Sequence, residues 1–442
     1  MSDITFMLRL RQNLFHSLIW GGQMRGTTKT IVGAAFIAAG TVGGVQAGGL
    51  ERSSQDFDIL FEPGTRIESG VTYVKPERKL KNIRGSAVGA ATGGRNPANG
   101  FRPYETETGE SRGYAVPKFS AKVDLTDDLA CAGQYREPIG IHTDVGMGTV
   151  EMYTAIEQEI TSRDYGLNCS YRFAAGEKGF FRILGGVSYQ EVEGYQSRYL
   201  PAGFPTPFGA TLPFRTGYLN VEDKGWGWRL GAAYEIPEYA LRASLVYQSK
   251  IKYDLEGTIT GLFPITIPVV GEAEVPDSVE FKFQTGIAPS WLAFGSVKWT
   301  HWSNQDAINF LNTSASLPGP FGAIPVGARI TGLDLYYRDG WTVTGGVGHK
   351  LNDQWSVATS LTWDRGTSTG LQTQTDTWTL GLGTTYSPNE RFEVRLAGLV
   401  GLLTSGTKDN RIIDGKPNLT GSVADFDDDF VGALSISAKL KF

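Results

Sequence analysis

The chain has 442 residues, a net charge of −5, 12% aromatic residues, 57 glycines and two cysteines. The mild acidity and the lack of a basic patch argue against a nucleic-acid binder. No apolar run after residue 50 reaches the ~18 residues a membrane helix needs, which leaves a large soluble β protein or a membrane β-barrel, where alternation averages hydropathy out.

Taken in chain order, Met24–Ala47 reads as a secretory signal peptide. Arg25 and Lys29 precede an apolar stretch from Ile31 to Val45, and small residues end the segment at Val45-Gln46-Ala47. Residues 1–23 are either an over-extended start or a long basic leader, so 1–47 is set apart from the fold. Residues 48–65 are too short for a domain and are expected to form a short plug or hatch in the lumen. From residue 66 to 442 the dominant signal is period-two alternation. It falls into fourteen blocks near 66–76, 115–125, 128–137, 157–174, 178–196, 217–235, 239–257, 277–288, 291–304, 337–351, 354–366, 374–386, 390–404 and 430–442. Short turns ("TDD", "IPE", "APS", "LND") alternate with long segments, as in a transmembrane barrel whose short turns face the periplasm.

The last block, "GALSISAKLKF", puts Leu434, Ile436, Ala438, Leu440 and Phe442 on one face and Ser435, Ser437, Lys439 and Lys441 on the other. Trp355 and Trp363 begin and end the apolar face of another, matching a lipid-facing band bounded by aromatic girdles. A soluble sandwich would turn its apolar face inward and would not need aromatics at both ends. The expected fold is therefore an all-β transmembrane antiparallel barrel of about 14 strands, in the bacterial outer membrane.

The stretches "YAVPKFSAKVDLTDDLACAGQYREPIG", "KGWGWRLGAAYEIPEYALRASLVYQSKIKYDLEG", "WLAFGSVKWTHWSNQ" and "LNDQWSVATSLTW" resemble the FadL-type outer-membrane transporters. That resemblance implies a fourteen-stranded barrel with an N-terminal hatch, carrying long-chain fatty acids or aromatic hydrocarbons. It further implies a kinked third strand that opens the wall sideways. Pro cannot donate to a ladder and Gly marks bulges, so Glu137, Pro138 and Gly140 are candidates for a lateral gate. The other reading is that Pro138 ends the strand at an outer loop. The family's Asn-Pro-Ala motif precedes its first strand, whereas "RNPANG" (95–100) follows the first block here, and 48–65 is shorter than the family's hatch.

Transport of a fatty acid needs an apolar groove and a cation for the carboxylate. Apolar residues on the polar face suggest a groove from Leu184, Phe294, Trp302, Leu399 and Leu403. Inward cations Arg229, Arg242, Lys298, Lys350 and Arg395 could meet a carboxylate, or could pair with inward acids such as Glu235, Asp364 and Glu393. The resemblance adds Arg198 and Arg338 near the outer ends of the fifth and tenth strands. Cys131 and Cys169 sit on the apolar faces of neighbouring blocks, either as a periplasm-permitted disulfide or as two small lipid-facing residues. "DFDDDF" (425–430) lacks the pattern of a calcium loop and reads as a solvated acidic loop able to meet lipopolysaccharide through divalent cations. No zinc pattern, cofactor motif or nucleophile elbow accompanies His142, His301 and His349, so no enzyme is expected. The function expected is passive transport of long-chain fatty acids or similar hydrophobic compounds; the alternative is a general diffusion porin. Expected partners are the hydrophobic ligand, outer-membrane lipid and lipopolysaccharide, and the barrel assembly machinery.

Overall fold

The computed structural model describes residues 49–53, 57–200, 214–261, 265–314, 317–319 and 322–442. The signal-peptide reading of 1–47 lies outside the described residues. Nineteen strand segments share one sheet. Five strands are each interrupted once, so the wall has fourteen. They are β1 (Arg66–Pro76), β2 (Tyr114–Asp124), β3 (Leu129–Arg136, resuming at Gly140–Asp144), β4 (Glu157–Ala175), β5 (Gly179–Leu200), β6 (Arg215–Ile236) and β7 (Leu241–Gln248, then Ile251–Thr260). There follow β8 (Ile267–Val275, then Ser278–Ala288), β9 (Trp291–Thr300, then Ala307–Asn312), β10 (Arg329–Asp334, then Gly340–Lys350), β11 (Trp355–Arg365), β12 (Thr377–Asn389), β13 (Phe392–Leu403) and β14 (Asp429–Lys441). β1 pairs with β14, Arg66 opposite Lys441, and with β2 on its other side, closing the barrel.

Closure leaves no open edge in hydrocarbon, where an unpaired backbone group costs several kcal/mol. The outward face carries the aromatics that the alternation predicts. Tyr135, Tyr165, Tyr189 and Trp226 run side by side across β3 to β6, with ring centroids 5.4, 6.3 and 5.2 Å apart. They form part of an outer girdle.

The strands continue beyond that girdle, and there their patterning inverts. On β6, Trp226, Trp228 and Leu230 face outward in the lipid-facing half, with Arg229 and Ala233 inward. Higher up, the inward residues are Leu219 and Val221, and the outward ones are Asn220, Glu222 and Lys224. A wall bathed in lipid turns polar residues in; the same wall bathed in water turns apolar residues in. β7 makes the change through its interruption, with Arg242, Ser244 and Val246 buried before it and Ile251, Tyr253 and Leu255 after it. The single block expected at 239–257 is thus two segments of opposite parity. Likewise, the segments expected as long loops at 258–276 and 305–336 contain the upper parts of β7 to β10. These form hairpins that stand above the bilayer.

β3 breaks at Glu137–Ile139 and resumes at Gly140. The groups freed by the break find other partners. Ser162 Oγ bonds both the N–H and the C=O of Ile139, at 2.8 Å each. The Arg52 N–H donates to Pro138 O at 2.7 Å, and the Gly140 N–H donates to Leu50 O at 2.8 Å. Ser53 Oγ donates to Glu137 O at 3.2 Å. The N-terminal segment thus lies along the break in place of β2, whose residues 114–117 have no partner on β3. Further along the segment, Phe57, Ile59, Leu60 and Phe61 pack against inward Leu184, Ala130 and Ala233.

The long connections form a cap. Lys79–Arg84, Thr108–Gly109, Gly406–Asp409 and Val423–Phe426 make a small sheet, with Leu80, Ile83, Met152, Tyr153 and Phe426 buried beneath it. Asn96 of "RNPANG" ties two loops together, its Nδ2 donating to Met147 O and Gly148 O at 2.7 and 3.1 Å. Three of the four acids of "DFDDDF" have cation partners, while Asp427 and Asp428 stay exposed. Asp425 pairs with Arg84, Asp427 with Lys81 and Asp429 with Arg78, at 3.0, 2.6 and 3.3 Å, because cations on the first long loop face them. The cap's central ion pair is Lys408 with Glu151, 2.6 Å apart and buried. Burial alone would pull the Lys408 ammonium down, but Glu151 and Glu110 outweigh it and hold the group above the usual lysine range. The pair is therefore charged on the lysine side at neutral pH.

Cys131 and Cys169 face each other on β3 and β4 and form a disulfide. It lies in the lower segment of β3, on the lipid side, and staples that segment to β4. Unfolded without reductant, the protein should offer no thiol to a labelling reagent, and two after reduction; labelling before reduction would rule the bond out. Lys408→Met should destabilise the cap by about 3–5 kcal/mol by stranding a buried carboxylate, and adding Glu151→Met should recover much of the loss. Limited proteolysis of the intact barrel reads this out: cap cleavage no faster in the single variant than in wild type would show that the pair does not hold the cap.

Candidate functional site

The inversion lines a cavity with apolar groups. Its volume is about 550 Å³, within the range of small-molecule sites, and it lies between the upper strands and the cap. Leu50, Ile139, Tyr253, Trp302, Phe310 and Tyr337 supply much of its apolar surface. Two of these, Leu50 and Ile139, belong to the β3 break. Trp302 stands edge-on to Tyr337, with ring centroids 5.8 Å apart, and covers Gly49. That glycine is required twice over: its φ is +64°, and a Cβ would come within 2.5 Å of the indole. The apolar wall is thus continuous with the segment that lies along the break.

At the polar end stands Arg198, on the outer end of β5. Its Nη1 donates to Thr331 Oγ1 at 3.2 Å and its Nη2 to Thr154 O at 3.1 Å. Its Nε is buried without a hydrogen-bond partner, and among the described residues no carboxylate forms an ion pair with it. Asp334, the nearby acid on β10, is engaged by Arg329 at 2.9 Å. A half-buried guanidinium with a spare buried Nε–H at the cavity can accept an oxyanion.

The other cations considered from the sequence are engaged. Arg229 bonds Asp164 at 2.9 Å, Arg242 bonds Asp58 at 2.6 Å, Lys298 pairs with Glu51, and Arg395 bonds Glu393 at 2.6 Å. Lys350 pairs with Asp353 beside a short turn, at 2.8 Å. Arg338 donates to Gly366 O at 2.8 Å and lies 3.4 Å from Asp376, outside the cavity lining. Of the groove candidates, Trp302 lines the cavity. Leu184 packs on the N-terminal segment, Leu399 and Leu403 pack with Val74 and Val431, and Phe294 lies over Gly346. Leu184 and Phe294 lie near the short-turn end of the barrel and Leu399 and Leu403 toward the outer end of β13, and none of the four lines the cavity. Their burial comes from packing between strand and strand or strand and segment, which one-face alternation does not distinguish from a groove.

Glu137, Pro138 and Gly140 all sit at the break. The Tyr135 hydroxyl donates to the Glu137 carboxylate at 2.9 Å, so this charge sits beside the outer girdle. Gly140 has a role beyond breaking the ladder: a Cβ there would fall 2.5 Å from Cζ and Nε of Arg52. Sequence reasoning missed Arg52, Tyr253 and the inward residues of the upper strands. One signal was present, the switch of the apolar set from Trp226 and Trp228 to Leu219 and Val221 along a single strand.

The family model described as outer membrane protein transport protein (OMPP1/FadL/TodX) matches residues 59–398. No curated protein matches the chain by sequence. Among solved structures, a FadL homologue of Pseudomonas aeruginosa superposes with a TM-score of 0.72 at 16% identity, covering 87% of this chain and 92% of that one. The toluene transporter TodX of Pseudomonas putida gives 0.58 at 14% identity, covering 90% and 96%. The toluene transporter TbuX of Ralstonia pickettii gives 0.55 at 12% identity, covering 87% and 90%. The match spans most of the chain, and the fold agrees: this barrel belongs to the FadL/TodX family of outer-membrane transport proteins, which carry hydrophobic compounds and are not enzymes.

Proposed function

We propose that the ligand is a long-chain fatty acid or a similar anionic amphiphile, taken passively into the upper cavity and released sideways through the broken third strand. The observation that carries this reading is that Leu50 and Ile139 are at once the wall of the cavity and the two sides of the break. A ligand in the cavity is separated from the lipid by a contact between the N-terminal segment and β3. The lower lumen supports the same route. There Glu62 with Arg66, Arg182 with Glu235, Arg242 with Asp58 and Arg229 with Asp164 form buried pairs 2.6–2.9 Å apart. An alkyl chain going straight down would have to part these pairs and leave charges unpaired in a dry interior, at several kcal/mol each. A general porin would need a wet path through the same layer. Arg198, with no acid of its own, favours a carboxylate over an uncharged hydrocarbon. On this reading the N-terminal segment acts as the hatch, the exposed apolar band meets outer-membrane lipid and lipopolysaccharide, and the barrel assembly machinery inserts the chain.

Glu51 and Ile139 are bridged partners across the break, so cysteines at both positions can be joined. In a Cys131→Ser, Cys169→Ser background, the oxidised Glu51→Cys, Ile139→Cys protein should lower labelled oleate uptake at least about tenfold, with recovery on reduction. The assay uses cells lacking their own fatty-acid transporter, with a small sugar as second tracer. Oleate entry indifferent to the lock would remove the lateral route, and free passage of the sugar would favour the porin. Arg198→Gln should weaken oleate binding to the purified protein by about 1.5–3 kcal/mol, read by quenching of indole fluorescence; an unchanged affinity would take the carboxylate away from this residue.

A further inference from the structure

A second cation stands at the break itself. Arg52 is 7% exposed, and its Nε and Nη2 are buried with no hydrogen-bond partner among the described residues. Its backbone N–H is bonded to Pro138 on β3, while its guanidinium lies over the Tyr114 ring of β2, Cζ 4.2 Å from the centroid. The space beside it exists because residue 140 is glycine. One residue therefore bridges the unpaired seam between the two strands, with donors left over. Glu137 and Glu159 are near enough to feel its charge, yet neither forms an ion pair with it, and Glu137 is taken up by Tyr135.

The height of the seam suggests what those donors meet. From the short turn at 125–128 to Arg136 is eight ladder residues of β3, which at ~3.3 Å per residue and a tilt of about 40° rises roughly 20 Å. The break therefore sits near the top of an apolar band about 25 Å tall, just above Tyr135 and its girdle neighbours. An amphiphile leaving sideways at this level puts its tail into hydrocarbon and its headgroup at the seam. Stacking on Tyr114 holds the guanidinium plane without using its N–H groups.

We infer that Arg52 is a specificity residue of the lateral exit, accepting the carboxylate of the departing amphiphile while its tail enters the outer leaflet. This rests on the lateral-release reading above and adds a second selection, at the exit rather than in the cavity: a neutral ligand of the same length lacks this contact.

The test compares uptake of labelled oleate and labelled oleyl alcohol, in cells lacking their own transporter, for wild type, Arg52→Gln and Arg52→Lys. Insertion is checked by heat-modifiable migration. The oleate-to-alcohol uptake ratio should fall about tenfold in Arg52→Gln, as expected for loss of one charged hydrogen bond, and stay within about threefold of wild type in Arg52→Lys. An unchanged ratio in Arg52→Gln overturns the inference, whether both tracers slow together, as when a wedge between strands is lost, or neither does. Loss of copurified lipid phosphate from Arg52→Gln with the ratio unchanged would assign the site to a membrane-lipid headgroup and likewise overturn it. A wild type that carries neither tracer would instead overturn the transport reading, before Arg52 is in question.

Discussion

Backbone groups cannot be left unpaired in hydrocarbon, and this constraint governs where a barrel can be opened. A gap low in the wall would expose N–H and C=O groups to lipid; a gap at the upper girdle can be completed by other groups of the same chain. Here residues 50–53 supply the bonds that β2 withholds from Glu137, Pro138 and Gly140, while Ser162 of β4 holds the backbone of Ile139 from the other side. The replacement is a short segment rather than a strand, and it bonds β3 at Glu137, Pro138 and Gly140. The disulfide on the other side of β3 fastens its lower segment to β4.

The second organising fact is that each long strand crosses from one solvent to another. Below the girdle, lipid outside drives charge inward, and in a crowded lumen Arg182 meets Glu235, Arg229 meets Asp164 and Arg242 meets Asp58 of the N-terminal segment. Above it, water outside drives apolar groups inward, and the same geometry encloses an apolar cavity. The filled lower lumen and the apolar upper chamber thus follow from one rule applied to two surroundings. The cap, braced by Arg78, Lys81, Arg84 and Lys408, covers this chamber.

The alternation of 434–442 and the spacing of Trp355 and Trp363 identify a barrel because lipid acts on every second residue of every strand, a local and repeated demand. "REPIG" is equally readable as a place where pairing stops, since Pro and Gly act on their own backbone. What Leu184, Phe294, Leu399 and Leu403 pack against was not legible: an apolar residue facing inward looks the same whether it meets a ligand, a neighbouring strand or the N-terminal segment. The cations posed a similar ambiguity. Arg229, read as inward from the alternation, and Arg198, added by the resemblance, were equal candidates in sequence, and the acid standing across from the first separates them.

The sequence by itself determined the barrel, its fourteen strands, the side that faces lipid and the point where the third strand fails, because each depends on periodicity or on the backbone of one or two residues. Only the tertiary structure decided what lies along that failure, which cation remains without an acid, and that two cysteines 38 positions apart are bonded. These depend on residues such as Arg52 with Tyr114 and Gly140, or Leu50 with Ile139, that meet through the closing of the barrel. Their encounter is a property of three-dimensional register, which no single stretch of alternating residues encodes.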